Sequence, residues 1–183
     1  MKPLRALIAA SLFASAFAGA AVLKTDPAKS SVAAVFKQMN VPVEAKFKTF
    51  TAQIDYDAAR PEASRASVDI VTASMDLGDA EYNREVAKKE WFNTAQFPKA
   101  SFVSTSIKPA GPGKLNVAGK LTLKGKTADV TFPLTVKTEA NKQVFEGQLP
   151  IKRLAFNIGE GEWKDTSMVA DEVVIKFRVA AGQ

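Results

Sequence analysis

The sequence predicts an all-β protein of antiparallel strands, each with one wet face, together with one short helix. Three observations carry this expectation. Apolar and polar residues alternate over long runs: Val130, Phe132, Leu134 and Val136 share one face, and Asp129, Thr131, Thr135 and Lys137 share the other. Strands of a parallel sheet are buried on both faces and read instead as nearly continuous apolar runs. Short connections rich in glycine and proline separate the runs, as at Lys124-Gly125-Lys126 and Pro109 to Gly113. Only one interval departs from the two-residue period.

After a turn at Thr25-Asp26-Pro27, alternation begins at Ser31 to Lys37 and continues through Val43 to Phe47 and Phe50 to Tyr56. A surface turn at Ala59 to Glu62 leads into Ala66 to Thr72. The second half adds a Ser/Thr-rich strand at Ser101 to Ile107, then Lys114 to Leu123, the run around Phe132, Val144 to Ile151 and Val173 to Val179. The exceptional interval, Asp79 to Glu90, starts on an aspartate, places Tyr82 and Val86 four apart, and spaces Glu85 for a pair with Lys89; it is expected to be helical. Some eight strands without a second set of helices must curl on themselves or stack as two sheets. Alternation alone leaves closed barrel and sandwich equally open.

Residues 1–20 have the pattern of a secretory signal: a basic start with Lys2 and Arg5, an apolar alanine-rich stretch, and small residues before two cleavage frames, Ala16-Phe17-Ala18 and Ala18-Gly19-Ala20. The second frame is preferred, which leaves residues 21–183 as a single domain, expected in the periplasm. The apolar stretch is shorter than the roughly 20 residues that cross a hydrocarbon core. Of the formal charge of +6, two units fall on Lys2 and Arg5. The other lysines are interspersed with acidic residues, a pattern of a charged surface and not of a nucleic-acid stripe.

The chain has no histidine and no cysteine. Ser-His-Asp and Cys-His catalysis, disulfides, and zinc sites built on imidazole or thiolate are therefore excluded. Gly159 to Asp165 gathers carboxylates without the spacing of a calcium loop and reads as a solvated turn with Trp163 folded onto the core. Lys124 and Lys126 flank a glycine without a phosphate-binding sequence and read as a charged hairpin tip. No catalytic residue, metal or cofactor is assigned, and no enzymatic activity is expected. Aromatic residues are the more informative group. Phe47 borders a bend, Trp91 and Phe92 follow the helix, Phe97 precedes a proline, and Phe156 and Trp163 bracket the glycine segment.

The segments TDPAKSSVAAVF, WFNTAQFPKASF, LTLKGKTADVTFPL and LPIKRLAFNIGEGEWKD occur in an order that resembles the YceI-like family of exported, lipocalin-like proteins. The resemblance spans nearly all of the chain beyond the signal. It implies an eight-stranded antiparallel barrel with a short helix, enclosing an apolar tunnel for a polyisoprenoid, an isoprenoid quinone or another long-chain lipid. It also implies that Trp91, Phe92 and Phe97 lie near the ligand. Phe36, Met39, Phe47, Phe102, Phe132, Phe156 and Trp163 complete the candidate lining. Relatives often carry histidine where this chain has Lys29, Gln38 and Val86, so a head-group contact through imidazole is not expected. The partners expected are one long-chain lipid and, transiently, a membrane; the oligomer expected is a monomer or dimer. The alternative is a structural or protein-interaction module linked to membrane redox chemistry or stress response.

Overall fold

The computed structural model describes residues 21–182. The proposed signal segment, residues 1–20, lies outside the described residues. Eleven strands form one antiparallel sheet: β1 (Ala21–Thr25), β2 (Ser31–Gln38), β3 (Val41–Phe47), β4 (Phe50–Tyr56), β5 (Arg65–Val71), β6 (Met75–Asp76), β7 (Lys99–Pro109), β8 (Lys114–Leu123), β9 (Lys126–Glu139), β10 (Lys142–Lys152) and β11 (Val169–Gly182). Three pairs of these are single strands interrupted once. β1 and β2 both run along β11, the first pairing Lys24 with Gly182 and the second Phe36 with Val173. β3 pairs with β2 and β6, while β4 pairs with β1 and β5, so β3/β4 and β5/β6 are likewise two broken strands. Counted this way, the sheet is an eight-stranded up-and-down barrel closed between its first and last strands. Closure leaves few strand edges open to a second chain.

Tight turns fix the register. Met39-Asn40, Lys124-Gly125 and Ala140-Asn141 each have two consecutive positive φ angles, the primed geometry whose twist matches that of the flanking strands. β8 and β9 then pair continuously from Lys114 with Thr135 to Leu123 with Lys126. On the outer face, cross-strand charges pair: Lys120 with Asp129 at 2.9 Å, and Arg178 with Glu146 at 2.6 Å and Glu139 at 2.8 Å. Each such exposed pair contributes little, but together they make the outside the wet face.

The helix α1 (Ala80–Val86) is shorter than its sequence implies. Asp79 caps it by accepting from the backbone N–H groups of Glu81 and Tyr82. Beyond Ala87 the chain turns inward, with Phe92 N–H donating to Val86 and Asn93 N–H to Lys88. Glu85 pairs with Lys88 instead of Lys89. This segment spans the space between β6 and β7 at one end of the barrel, called here the upper end.

Candidate ligand cavity

Inward-facing side chains do not fill the barrel. They line a cavity of about 390 Å³ that runs along its length, from Tyr56 and Phe145 at the lower end to Gln38, Tyr82 and Trp163 at the upper. That volume falls within the 300–1,000 Å³ typical of small-molecule sites, and the lining is overwhelmingly apolar. The lower end is narrowed by a second buried cluster that includes Leu23, Ile54, Phe145 and Val179, and the exposed Arg65 also borders the cavity there. There Tyr56 meets Phe145 edge to face at 5.3 Å.

At the upper end the wall reaches solvent. Gln38 and Tyr82 line the cavity and are exposed. Among the described residues six large apolar side chains are exposed, and four of them surround this opening: Met39, Val41, Tyr82 and Met168. The Met39 N–H donates to the carbonyl of Met168 at 2.8 Å, and Val41 pairs in register with Gln38. Clustering of this kind marks a contact surface more often than scatter does.

The segment between β10 and β11 folds over the same end and is organised by one side chain. Arg153 is 2% exposed, and its guanidinium gives all of its N–H donors to backbone carbonyls, those of Ala170, Ile158, Gly159, Trp163 and Val169. Burial pushes it below its ordinary value, an effect the charge of Asp171 opposes. Gly159 has φ +82°, and a Cβ there would overlap the Arg153 Nη1 atom. Lys124 is the second tie. Its ammonium donates to the carbonyls of Lys89 and Asn157 at 2.7 Å and to the Glu160 carboxylate at 2.9 Å. Lys124 is thus a buried link between hairpin, helix segment and closing loop, which corrects the reading of Lys124 as part of a charged hairpin tip. In the Gly159 to Asp165 segment Trp163 does fold inward, onto the cavity wall 5.3 Å from Trp91, and Gly161 to Asp165 is otherwise largely exposed; only the burial of Gly159 departs from the solvated turn expected.

Comparison with known proteins decides the family. The YceI-like domain is matched over residues 23–181. The chain belongs to the YceI-like family. A UPF0312 protein of Shewanella putrefaciens is 38% identical over 150 residues, covering 80% of this chain and 75% of the relative. The crystal structure of BcnA from Burkholderia cenocepacia shares 56% identity with a TM-score of 0.84, covering 86% of this chain and 99% of that one. A polyisoprenoid-binding domain from Saccharophagus degradans, implicated in plant cell wall breakdown, has the same fold at 17% identity and a TM-score of 0.68, covering 90% and 98% of the two chains.

In this YceI-like barrel, seven of the ten candidate residues lie on the cavity wall: Phe36, Phe47, Trp91, Phe92, Phe102, Phe132 and Trp163. Three do not. Met39 is 71% exposed because it occupies the first position of a hairpin turn, past the end of the ladder. Phe97 packs outside the cavity over Gly125, where a Cβ would stand 2.7 Å from its ring. Phe156 is buried in the closing segment, where Ile158 takes the wall position instead. Val86 and Phe177 also line the cavity. Their signals were the four-residue spacing of Tyr82 and Val86 and the alternation of the last strand. Among the described residues no three or more acidic side chains gather to hold a metal ion.

The closing loop predicts an acid response. The Lys124 ammonium holds the Glu160 carboxyl below its ordinary 4.5, and Lys48 with Asn83 holds that of Asp76 well below the carboxylate range. Carboxyls lowered by folding stabilise fully above their unfolded values and lose that contribution as pH falls through the folded ones. Emission of Trp91 and Trp163 should hold constant from neutrality to about pH 4.5 and shift to the red below it. Glu160→Gln should remove part of the change; an unmoved spectrum in acid would refute the link.

Proposed function

We propose that this protein binds one long-chain lipid, of isoprenoid or isoprenoid-quinone type, and stores or carries it through the periplasm after loss of residues 1–20. The observation that carries this reading is the apolar cavity along the barrel, narrowed below by packed side chains and open above at an apolar rim. Burial of a methylene contributes about 0.8 kcal/mol, so ten would supply about 8 kcal/mol before the cost of ordering the chain. Attraction of this kind has no direction, so such a wall selects by length and girth. The polyisoprenoid-binding neighbour from Saccharophagus degradans supports the ligand class. No bond-making step is part of the proposal.

The rim of Met39, Val41, Tyr82 and Met168 supports transient contact with a bilayer during loading, since Tyr82 lines the cavity and the other three adjoin the lining residues Gln38 and Val169. The same exposed rim favours a second reading, an interaction module that docks a protein. Intact-complex mass measurement after gentle purification from the native compartment separates the two. A bound chain lipid of defined mass is expected; a consistently empty protein that takes up no added lipid would overturn the carrier reading.

A further inference from the structure

Five consecutive strands alternate an aromatic residue with a glycine at the middle of the barrel: Phe102 on β7, Gly119 on β8, Phe132 on β9, Gly147 on β10 and Phe177 on β11. The three rings form a belt, Phe102 to Phe132 and Phe132 to Phe177 each at 5.4 Å between centroids, and all three line the cavity. Gly119 and Gly147 hold the inward phase of their strands, in line with Val117 and Leu121 and with Phe145 and Leu149, which line the cavity. Both have ordinary strand φ angles, so backbone freedom does not explain them. Space does. A Cβ at Gly119 would stand 2.5 Å from the Phe102 ring and 2.5 Å from the Val103 carbonyl oxygen. At Gly147 it would overlap the edge of the Phe177 ring, with Cε2 at 3.0 Å and the Pro133 carbonyl oxygen at 3.1 Å. The two rings therefore occupy the places that side chains at Gly119 and Gly147 would take, so they sit deeper in the wall than those side chains would allow.

We propose that Gly147, with Gly119, is a specificity-determining position that recesses the aromatic belt and sets the girth of chain the cavity admits. Resting on the carrier reading above, the proposal adds that the recess makes room for methyl branches along a chain. The two sites differ in what a methyl group would meet. At Gly119 it is backbone as well as the Phe102 ring, beside a bulge in β7, and the backbone has no freedom to move away. At Gly147 it is chiefly the far end of one side chain, which has the cavity to move into. Gly147→Ala turns Phe177 inward and narrows the bore, whereas Phe177→Leu widens it. A ring packed on a glycine is also a way to stabilise a sheet; that role changes stability without changing which chain is preferred.

The test is the ratio of affinities for geranylgeraniol, which is methyl-branched, and n-octadecanol, which is not, measured on the full-length protein after export. Wild type is expected to bind both. Gly147→Ala should lose about tenfold or more for the branched alcohol relative to the linear one, Gly147→Ala/Phe177→Leu should recover it, and Phe177→Leu alone should favour the branched chain. A folded Gly147→Ala with an unchanged ratio overturns the specificity role and leaves the carrier reading standing. Wild type that binds neither alcohol overturns both. If Gly147→Ala fails to fold, an unchanged ratio in Phe177→Leu overturns the proposal.

Discussion

Replacement of Arg153 by methionine is expected to lower the unfolding free energy by about 3–5 kcal/mol, close to the limit for a single substitution. The side chains are of similar reach, so the loss is not chiefly one of packing. Five carbonyls, those of Ile158, Gly159, Trp163, Val169 and Ala170, lose their donor together. Each buried acceptor left without a partner costs about 1–3 kcal/mol, moderated where water enters or the loop relaxes. Lysine should not rescue, because three donors on a flexible stem do not replace five in a planar fork. Gly159→Ala should give part of the same loss by displacing Nη1. Denaturant unfolding of the three variants checks the set; a methionine variant within 1 kcal/mol of wild type would show that the guanidinium does not hold the closing loop.

The second large effect falls on binding and spares the fold. Ala34 faces the cavity from β2 between Val32 and Phe36. An indole placed there by Ala34→Trp would cross the lumen and exclude the far part of a chain. Loss of four buried methylenes, at about 0.8 kcal/mol each, weakens binding by about 200-fold. Overpacking should cost stability only about 1–3 kcal/mol, because the new ring enters an existing cavity. Lipid content by mass, together with a thermal melt, measures both. Unchanged lipid content in a folded variant would mean that the chain does not lie along this cavity.

The strands were legible because their inward phase is apolar and their outward phase charged, a contrast that survives in any single strand. Barrel closure was not, since the pairing of Lys24 with Gly182 joins residues at the two ends of the described chain and leaves no local signal. β7 shows a different limit. Phe102 and Ile107 are in opposite phase by counting, yet both line the cavity, because a bulge between Ser104 and Ser106 resets the alternation. A Ser/Thr-rich stretch hides such a reset. Residue type marked most of the wall but not whether a side chain sits in a turn, over the hairpin or along the lumen, so Met39, Phe97 and Phe156 lie off the wall. Arg153 carried no signal at all: one arginine among many charged residues is distinguished only by the five carbonyls that converge on it.

The pairing of β1 with β11 also determines how the molecule can be held. Both ends of the described chain leave the barrel near Tyr56, at the narrowed lower end and a full strand length from the rim of Met39 and Val41. A tether attached at Gly182 would therefore suspend the barrel with its opening turned away from the support. Surface-immobilised protein attached in this way keeps its opening free for incoming lipid, whereas coupling through Lys37 or Lys164 would crowd it.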